Sequence, residues 1–407
     1  MADASNSSAP AGVVPRDLPL AARLALGYAL NLRRGRLEVH LPDGRCLEFR
    51  GEGAGPNATI IVRDWGFARR MMSGGDIGLG EAFIRGEWDS PDLTAFLLLF
   101  CINHNAVETL LDGRALIRWW QRVRHFLNGN TKVGARRNIR AHYDLGNHFY
   151  AAWLDRTMTY SAAIFAPGDN DLASAQLRKY RALASALHVG RDDRLLEIGC
   201  GWGGFAEFAA REIGCRVTGL TISREQFEFA QQRMQKAGLS EKVEIKLQDY
   251  RDEKGIYDRI ASIEMFEAVG ESYWPSFFSQ LRDRLTSGGA AGVQVITIQE
   301  RFFEGYRKEI DFIRRYIFPG GMLPTPTIMR QLGENFGVPL KEEREFALDY
   351  AQTLALWRER FFTAWPQLLP LGFDERFKRT WSYYLSYCEA GFRSKNIDVR
   401  QMIFSKA

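Results

Sequence analysis

The run Leu195-Leu196-Glu197-Ile198-Gly199-Cys200-Gly201-Trp202-Gly203-Gly204 constrains this chain more than any other segment, because it sets an apolar strand, an acid and a glycine turn directly before a helix. Glycine at 199, 201 and 203 lets backbone approach a ligand where a side chain would collide. Strands and helices alternate from there onward. Arg194 to Ile198 reads as a strand, Phe205 to Glu212 as a helix, Cys215 to Leu220 as a strand, Arg224 to Lys236 as a helix and Val243 to Leu247 as a strand. Tyr257 to Ile263 is another strand, Trp274 to Leu285 a helix and Ala290 to Ile298 a strand. This rhythm predicts an α/β fold with a doubly wound, mostly parallel sheet and ligands at the carboxyl ends of its strands.

A chain of 407 residues exceeds what one core usually supports, so two domains are expected. Residues 1–17 read as a disordered tail. Residues 18–111 read as a small α+β unit with strand-like runs at Arg36 to His40, Leu47 to Phe49 and Thr59 to Val62. Residues 112–139 form a basic linker and 140–407 the catalytic domain. The small, polar start lacks the basic and apolar regions of a signal peptide, which predicts a cytoplasmic protein. The most apolar stretch, Leu93 to Ile102, is about half the roughly 20 residues a membrane span needs, so membrane contact is expected to be peripheral, at the inner face. The five scattered cysteines have no zinc-site spacing, and no metal is expected. Gly74 to Trp88 is glycine-rich but lacks a phosphate-loop ending, and reads as turns and a packed helix.

The net charge of +5 is modest, but its distribution is not. Arg114, Arg118, Arg122, Arg124, Lys132, Arg136, Arg137 and Arg140 occur in a segment from 114 to 140 in which they are the dominant charges, while Leu116, Trp119, Trp120, Val123 and Phe126 follow a helical rhythm. A basic amphipathic helix with paired tryptophans suits an anionic lipid surface. A docked linker helix with solvated arginines is the alternative. No recognition motif accompanies the charge, so nucleic acid is not an expected partner.

The G-x-G-x-G spacing with Glu197 two residues ahead resembles the first motif of class I methyltransferases, and only partly matches the nicotinamide fingerprint. Asp249 follows the third strand of the wound sheet, where such enzymes hold the adenine amino group. After the second strand, where most carry an acid for the ribose, this chain has Leu220-Thr221-Ile222-Ser223.

Motifs on both sides of the loop identify a subfamily. His142-Tyr143-Asp144-Leu145-Gly146-Asn147, Met158-Thr159-Tyr160-Ser161, Met265-Phe266-Glu267, Tyr316-Ile317-Phe318-Pro319-Gly320, Trp357-Arg358-Glu359-Arg360-Phe361 and Tyr383-Tyr384-Leu385 occur in order. From about Arg140 to Phe404 the chain resembles the cyclopropane-fatty-acyl-phospholipid synthases, and residues 18–111 are more loosely similar to the lipid-binding domain that precedes catalysis in longer members of that family. The resemblance implies S-adenosylmethionine bound by Tyr160, Ser161, Glu197, Gly199, Gly201, Gly203, Thr221, Ser223, Gln226, Gln248, Asp249 and Tyr250. It implies catalytic roles for Glu267, Tyr350 and Tyr316.

Such chemistry makes physical demands. An alkene is a poor nucleophile, so the methyl donor must be held in line and the resulting carbocation kept from water. Tyr160, Phe165, Phe266, Tyr316, Phe318, Tyr350, Trp357 and Phe361 could form a dry wall whose ring faces favour positive charge, or simply pack a core. In the family a bicarbonate ion, held by a cysteine, a glutamate, a histidine and a tyrosine, removes the proton that closes the ring. Glu267 and Tyr350 match that set, whereas Ala162 stands for the cysteine and Ile296 for the histidine. A buried anion needs its hydrogen bonds, so bicarbonate is a doubtful cofactor. Either Glu267 or another group acts as base, or the cation loses a chain proton. The latter gives a methyl- or methylene-branched chain.

The expected reaction is therefore C-methylation at the double bond of unsaturated phospholipid acyl chains, with cyclopropane formation as the alternative. Expected partners are unsaturated phospholipid, an anionic membrane surface and a second copy of the chain. A small-molecule methyltransferase and a non-catalytic lipid-binding protein are the competing readings.

Overall fold

The computed structural model describes residues 12–103 and 145–407. The basic stretch from Arg114 to Arg140 and the His142-Tyr143-Asp144 part of the first family motif lie outside the described residues. The described chain divides into two compact units, 12–103 with Leu369–Asn396, and 145–368 with Ile397–Ala407.

The first unit is built on a four-stranded sheet in the order β2-β1-β3-β4, where β1 is Arg34–His40, β2 Cys46–Arg50, β3 Gly53–Val62 and β4 Trp88–Asp89. Alternation along the strands buries Leu37 and Val39 of β1 and Leu47 and Phe49 of β2. The glycine-rich run forms part of helix Gly66–Ile84, kinked at Gly75 where φ is +61°. Helix Leu93–Ile102 starts at Asp92, whose side chain accepts from the Ala95 N–H.

Helix Glu375–Arg393 also belongs to this unit, which corrects the continuous 140–407 catalytic domain expected from the sequence. Arg379 donates to the carbonyls of Phe83 and Trp88 and pairs with Asp89 at 2.7 Å, while Thr94 donates to buried Glu389 at 3.0 Å. Its apolar face, with Trp381, Tyr383 and Leu385, could cover any exposed sheet or helix layer. Long-range polar partners and the contact of Tyr383 with Phe83 place it on this one.

The second unit holds a seven-stranded sheet in the order β10-β11-β9-β8-β5-β6-β7. Here β5 is Arg194–Ile198, β6 Arg216–Thr221, β7 Val243–Leu247, β8 Tyr257–Ile263, β9 Leu285–Ile298, β10 Leu340–Glu345 and β11 Ile397–Ser405. Neighbours from β7 through β9 are parallel, and β11 runs antiparallel to both β9 and β10. The chain winds outward from β5 to β7, then crosses back to β8 on the other side of β5. That reversal makes a switch point beside β5, where a crevice for ligands opens at the carboxyl ends. Both faces are apolar: Leu196, Ile198, Val293, Val295, Phe277 and Phe278 fill one side, and Leu195, Val217, Leu183 and Ala206 the other.

β5, β7 and β8 have the expected bounds. β9 begins five residues earlier than expected, at Leu285, and the helix expected from Phe205 to Glu212 is an α-helical Gly204–Phe208 continued by a π turn over Ala209–Ile213.

Candidate active site

At the end of β5 the chain turns through Gly199, Gly201 and Gly203, with φ of +81°, +52° and +80°. The N–H groups of Gly199 and Cys200 both donate to the Leu220 carbonyl, at 3.0 and 2.8 Å, and so tie the turn to β6. A Cβ on Gly199 would lie 2.7 Å from Met265 Cγ, but one on Gly201 would meet no heavy atom within 4 Å. Gly201 therefore borders open space at the switch point, which fits close approach of a ligand. Arg233 braces the turn. Its guanidinium pairs with Glu207 at 2.5 Å and donates to the carbonyls of Thr157 and Trp202.

The remaining expected cofactor residues gather around the same strand ends. Thr221 donates to the Gln226 side chain at 3.0 Å, and Ser223 caps helix Arg224–Lys236. The Gln248 N–H donates to the Thr221 carbonyl, and its amide donates to Glu253 at 3.0 Å. Asp249, 2% exposed, accepts from Arg251 through both oxygens, at 2.8 and 2.7 Å. The carboxylate expected to hold an adenine amino group thus also neutralises Arg251, which lies over the rings of Tyr250 and Tyr273. Tyr160 sits among the rings of Tyr150, Trp153 and Trp357.

Glu197 on β5 is buried, and desolvation pushes its carboxyl up to about 8, against the pull of nearby Lys179. Its Oε2 has no hydrogen-bond partner among the described residues. Lys179, on helix Leu172–Ala186, is fully buried, and its ammonium donates to Ser161 Oγ at 2.7 Å. Burial lowers Lys179 to about 8, opposed by the charges of Glu264, Asp155 and Glu197. The sequence reading missed this lysine. Its only signal is its spacing with Gln176 and Leu183, three before and four after, on the buried face of the helix.

Beyond β8 lies an acid pair. Glu267, in the short helix Phe266–Ala268, accepts the Ile296 N–H at 2.5 Å through Oε1, and its Oε2 has no partner among the described residues. Burial, and then the neighbouring Glu264, push Glu267 up to about 8. Glu264 immediately follows β8 with φ +49°. Its Oε1 accepts from the Ala162 N–H and the Gln294 amide, both at 2.8 Å, and its Oε2 from the Tyr350 hydroxyl at 2.6 Å. Burial raises Glu264 too, while Tyr350, Lys179, Ala162 and Gln294 oppose the rise.

Tyr160, Trp153, Trp357 and Tyr350 form a contiguous aromatic group, with Tyr160 and Trp357 centroids 5.2 Å apart and Tyr350 and Trp357 edge to face. Phe361 joins it through Phe149. Phe266 instead packs on Trp274 and Phe277 within the core. Tyr316 is 38% exposed and lies against Phe312 and Arg315, and the segment after it returns to the acids where the Met322 N–H donates to the Glu267 carbonyl at 2.9 Å.

The sheet and glycine turn are those of a class I methyltransferase. The profile of the mycolic acid cyclopropane synthetase family matches residues 130–402, and the chain belongs to that family of S-adenosylmethionine-dependent methyltransferases. It is 40% identical over 405 residues to the tuberculostearic acid methyltransferase UfaA1 of Mycobacterium tuberculosis, covering 95% of this chain and 92% of that one. It is 34% identical to the cyclopropane-fatty-acyl-phospholipid synthase of Escherichia coli K12, covering 91% and 96%. Among solved structures, the mycolic acid cyclopropane synthase CmaA1 complexed with SAH and CTAB aligns with TM-score 0.63 and 30% identity over 67% of this chain and 98% of that one.

Proposed function

We propose that this enzyme methylates a double-bond carbon of an unsaturated phospholipid acyl chain and releases a methyl- or methylene-branched chain rather than a cyclopropane. The observation that carries this reading is the makeup of the acid pocket. Position 162 offers a backbone N–H and a methyl group, position 296 offers a backbone N–H already engaged by Glu267, and the Tyr350 hydroxyl is engaged by Glu264. The side chains expected to seat bicarbonate are thus absent or in use. The similarity to a tuberculostearic acid methyltransferase supports the same product class.

Bound S-adenosylmethionine supplies an electrophilic methyl group. The Gly199–Gly203 turn, Glu197, Ser161, Thr221, Gln226 and Asp249 are the groups that would hold it. Tyr160, Trp153 and Trp357 present ring faces that favour a cationic chain and exclude water, which would otherwise capture it. Glu267 and Tyr350 are the further groups assigned to orienting the alkene, and Tyr316 is a further catalytic candidate. No helix among the described residues is long and apolar enough to cross a membrane, so contact with the anionic bilayer is assigned to the basic stretch from Arg114 to Arg140.

The test is the product. Phospholipid carrying one defined cis alkene is converted and examined by proton NMR. Vinylic or branch-methyl signals are expected, and high-field cyclopropane methylene signals as the main product would overturn the proposal.

A further inference from the structure

We infer that Glu264 is a built-in substitute for the bicarbonate ion and receives the proton that ends the reaction. This rests on the acyl-methylation reading and names the base within the same pocket. A carboxylate and a bicarbonate share one planar O–C–O fork. The fork of Glu264 is held by the N–H of residue 162 and the hydroxyl of Tyr350, two of the four positions expected to surround the free ion. Gln294, on β9 two residues before Ile296, supplies a third donor at 2.8 Å. The ion's place is taken by a group tethered to the chain.

Three further observations agree. All three partners of the Glu264 carboxylate donate, and the buried Lys179 ammonium acts on it, so the site is built for an anion. The neighbouring Glu267 has one oxygen bonded to the Ile296 N–H and one without a partner among the described residues, a poorer setting for charge. Of two adjacent buried carboxyls one takes the proton, and Glu267 is the better holder. Last, Glu264 has φ +49°, a conformation that suits glycine and not a residue with a long side chain. Its side-chain bonds hold it there, and strain retained at a pocket of this kind accompanies function.

Once the alkene π pair has bonded one alkene carbon to the transferred methyl, whose bond to sulfur breaks and leaves its electron pair on a neutral thioether, the other alkene carbon carries the positive charge. A Glu264 oxygen takes a proton from a chain carbon next to the cation, the C–H electron pair becomes a new C=C bond, and an O–H bond forms on Glu264. The proton passes to solvent after product leaves. Loss of a proton from the added methyl group instead would close a C–C bond and give cyclopropane, so the position of a fixed base bears on which product forms.

The experiment uses the full chain, S-adenosylmethionine labelled in the methyl group, and phosphatidylglycerol vesicles with one cis double bond per chain, in carbonate-free buffer with or without bicarbonate or formate. Wild-type turnover is expected to be the same with and without bicarbonate. Glu264→Gly, which relieves the backbone and opens the pocket, should lose about 100-fold or more in rate while binding S-adenosylmethionine normally by calorimetry. Formate or bicarbonate should restore part of it. Glu264→Gln should be equally slow and gain nothing from added anions, because its amide fills the pocket. Dependence of the wild type on bicarbonate, a near wild-type rate for either variant, or failure of both anions to rescue a folded, cofactor-binding Glu264→Gly would each overturn the inference. Should Glu264→Gly fail to fold, the rate of Glu264→Gln decides alone. A cyclopropane product from a bicarbonate-independent wild type would instead overturn the branched-product reading and leave Glu264 as the base.

Discussion

The Tyr350 hydroxyl donates to Glu264 Oε2 at 2.6 Å, joining helix Ala347–Leu368 to the residue that follows β8. The bond favours the ionised carboxylate. Tyr350→Phe should therefore raise the Glu264 pKa. The acid limb of the kcat profile should move to higher pH, with S-adenosylmethionine affinity unchanged. An unmoved limb would show that Tyr350 does not tune this group.

Glu267 and Glu197 are both raised from 4.5 to about 8, so the folded chain binds their protons more tightly than the unfolded chain. Their contribution to stability is complete below the unfolded value and is lost as pH rises through about 8. Glu267→Gln removes one of the two groups. Its melting temperature should fall less steeply than that of the wild type between about pH 5 and pH 8.5, and parallel curves would contradict the assignment.

Gly199 and Gly201 separate folding from binding. Gly199→Ala places a Cβ against Met265 at a positive φ, and should lower stability by about 1–3 kcal/mol. Gly201→Ala carries backbone strain of the same kind at φ +52°, but its Cβ meets no heavy atom, so its melting temperature should fall less than that of Gly199→Ala while S-adenosylmethionine affinity drops about tenfold or more, the cofactor having lost its approach. Calorimetric titration of both variants checks the placement of the pocket. Equal affinities would mean that the cofactor lies elsewhere.

The arginines at 114, 118 and 122 repeat every four residues. Each basic residue near an anionic bilayer contributes about 1 kcal/mol, screened by salt. Reversing all three to glutamate should weaken sedimentation with phosphatidylglycerol vesicles by about 100-fold or more, and leave the remaining binding nearly insensitive to salt. Retained binding would make the stretch a linker.

Local pattern determined much of this protein. The apolar runs of β5, β7 and β8 and the glycines after β5 were legible in the chain, because each depends on residues close together in sequence. The role of Glu264 was not. It stands three residues before Glu267, yet its donors lie 102, 30 and 86 residues away, on a loop, a strand and a helix. Lys179 likewise sits on an ordinary amphipathic helix until the fold buries it against Ser161 and three acids. Helix Glu375–Arg393 carries an apolar face that suits many surfaces, and its partners about 300 residues earlier, met by Arg379, Tyr383 and Glu389, assign it to the first unit. Sequence decides periodicity and backbone freedom, which are local. Which buried charges share a pocket is decided by tertiary packing, since a charge taken out of water must find its partners wherever the fold brings them.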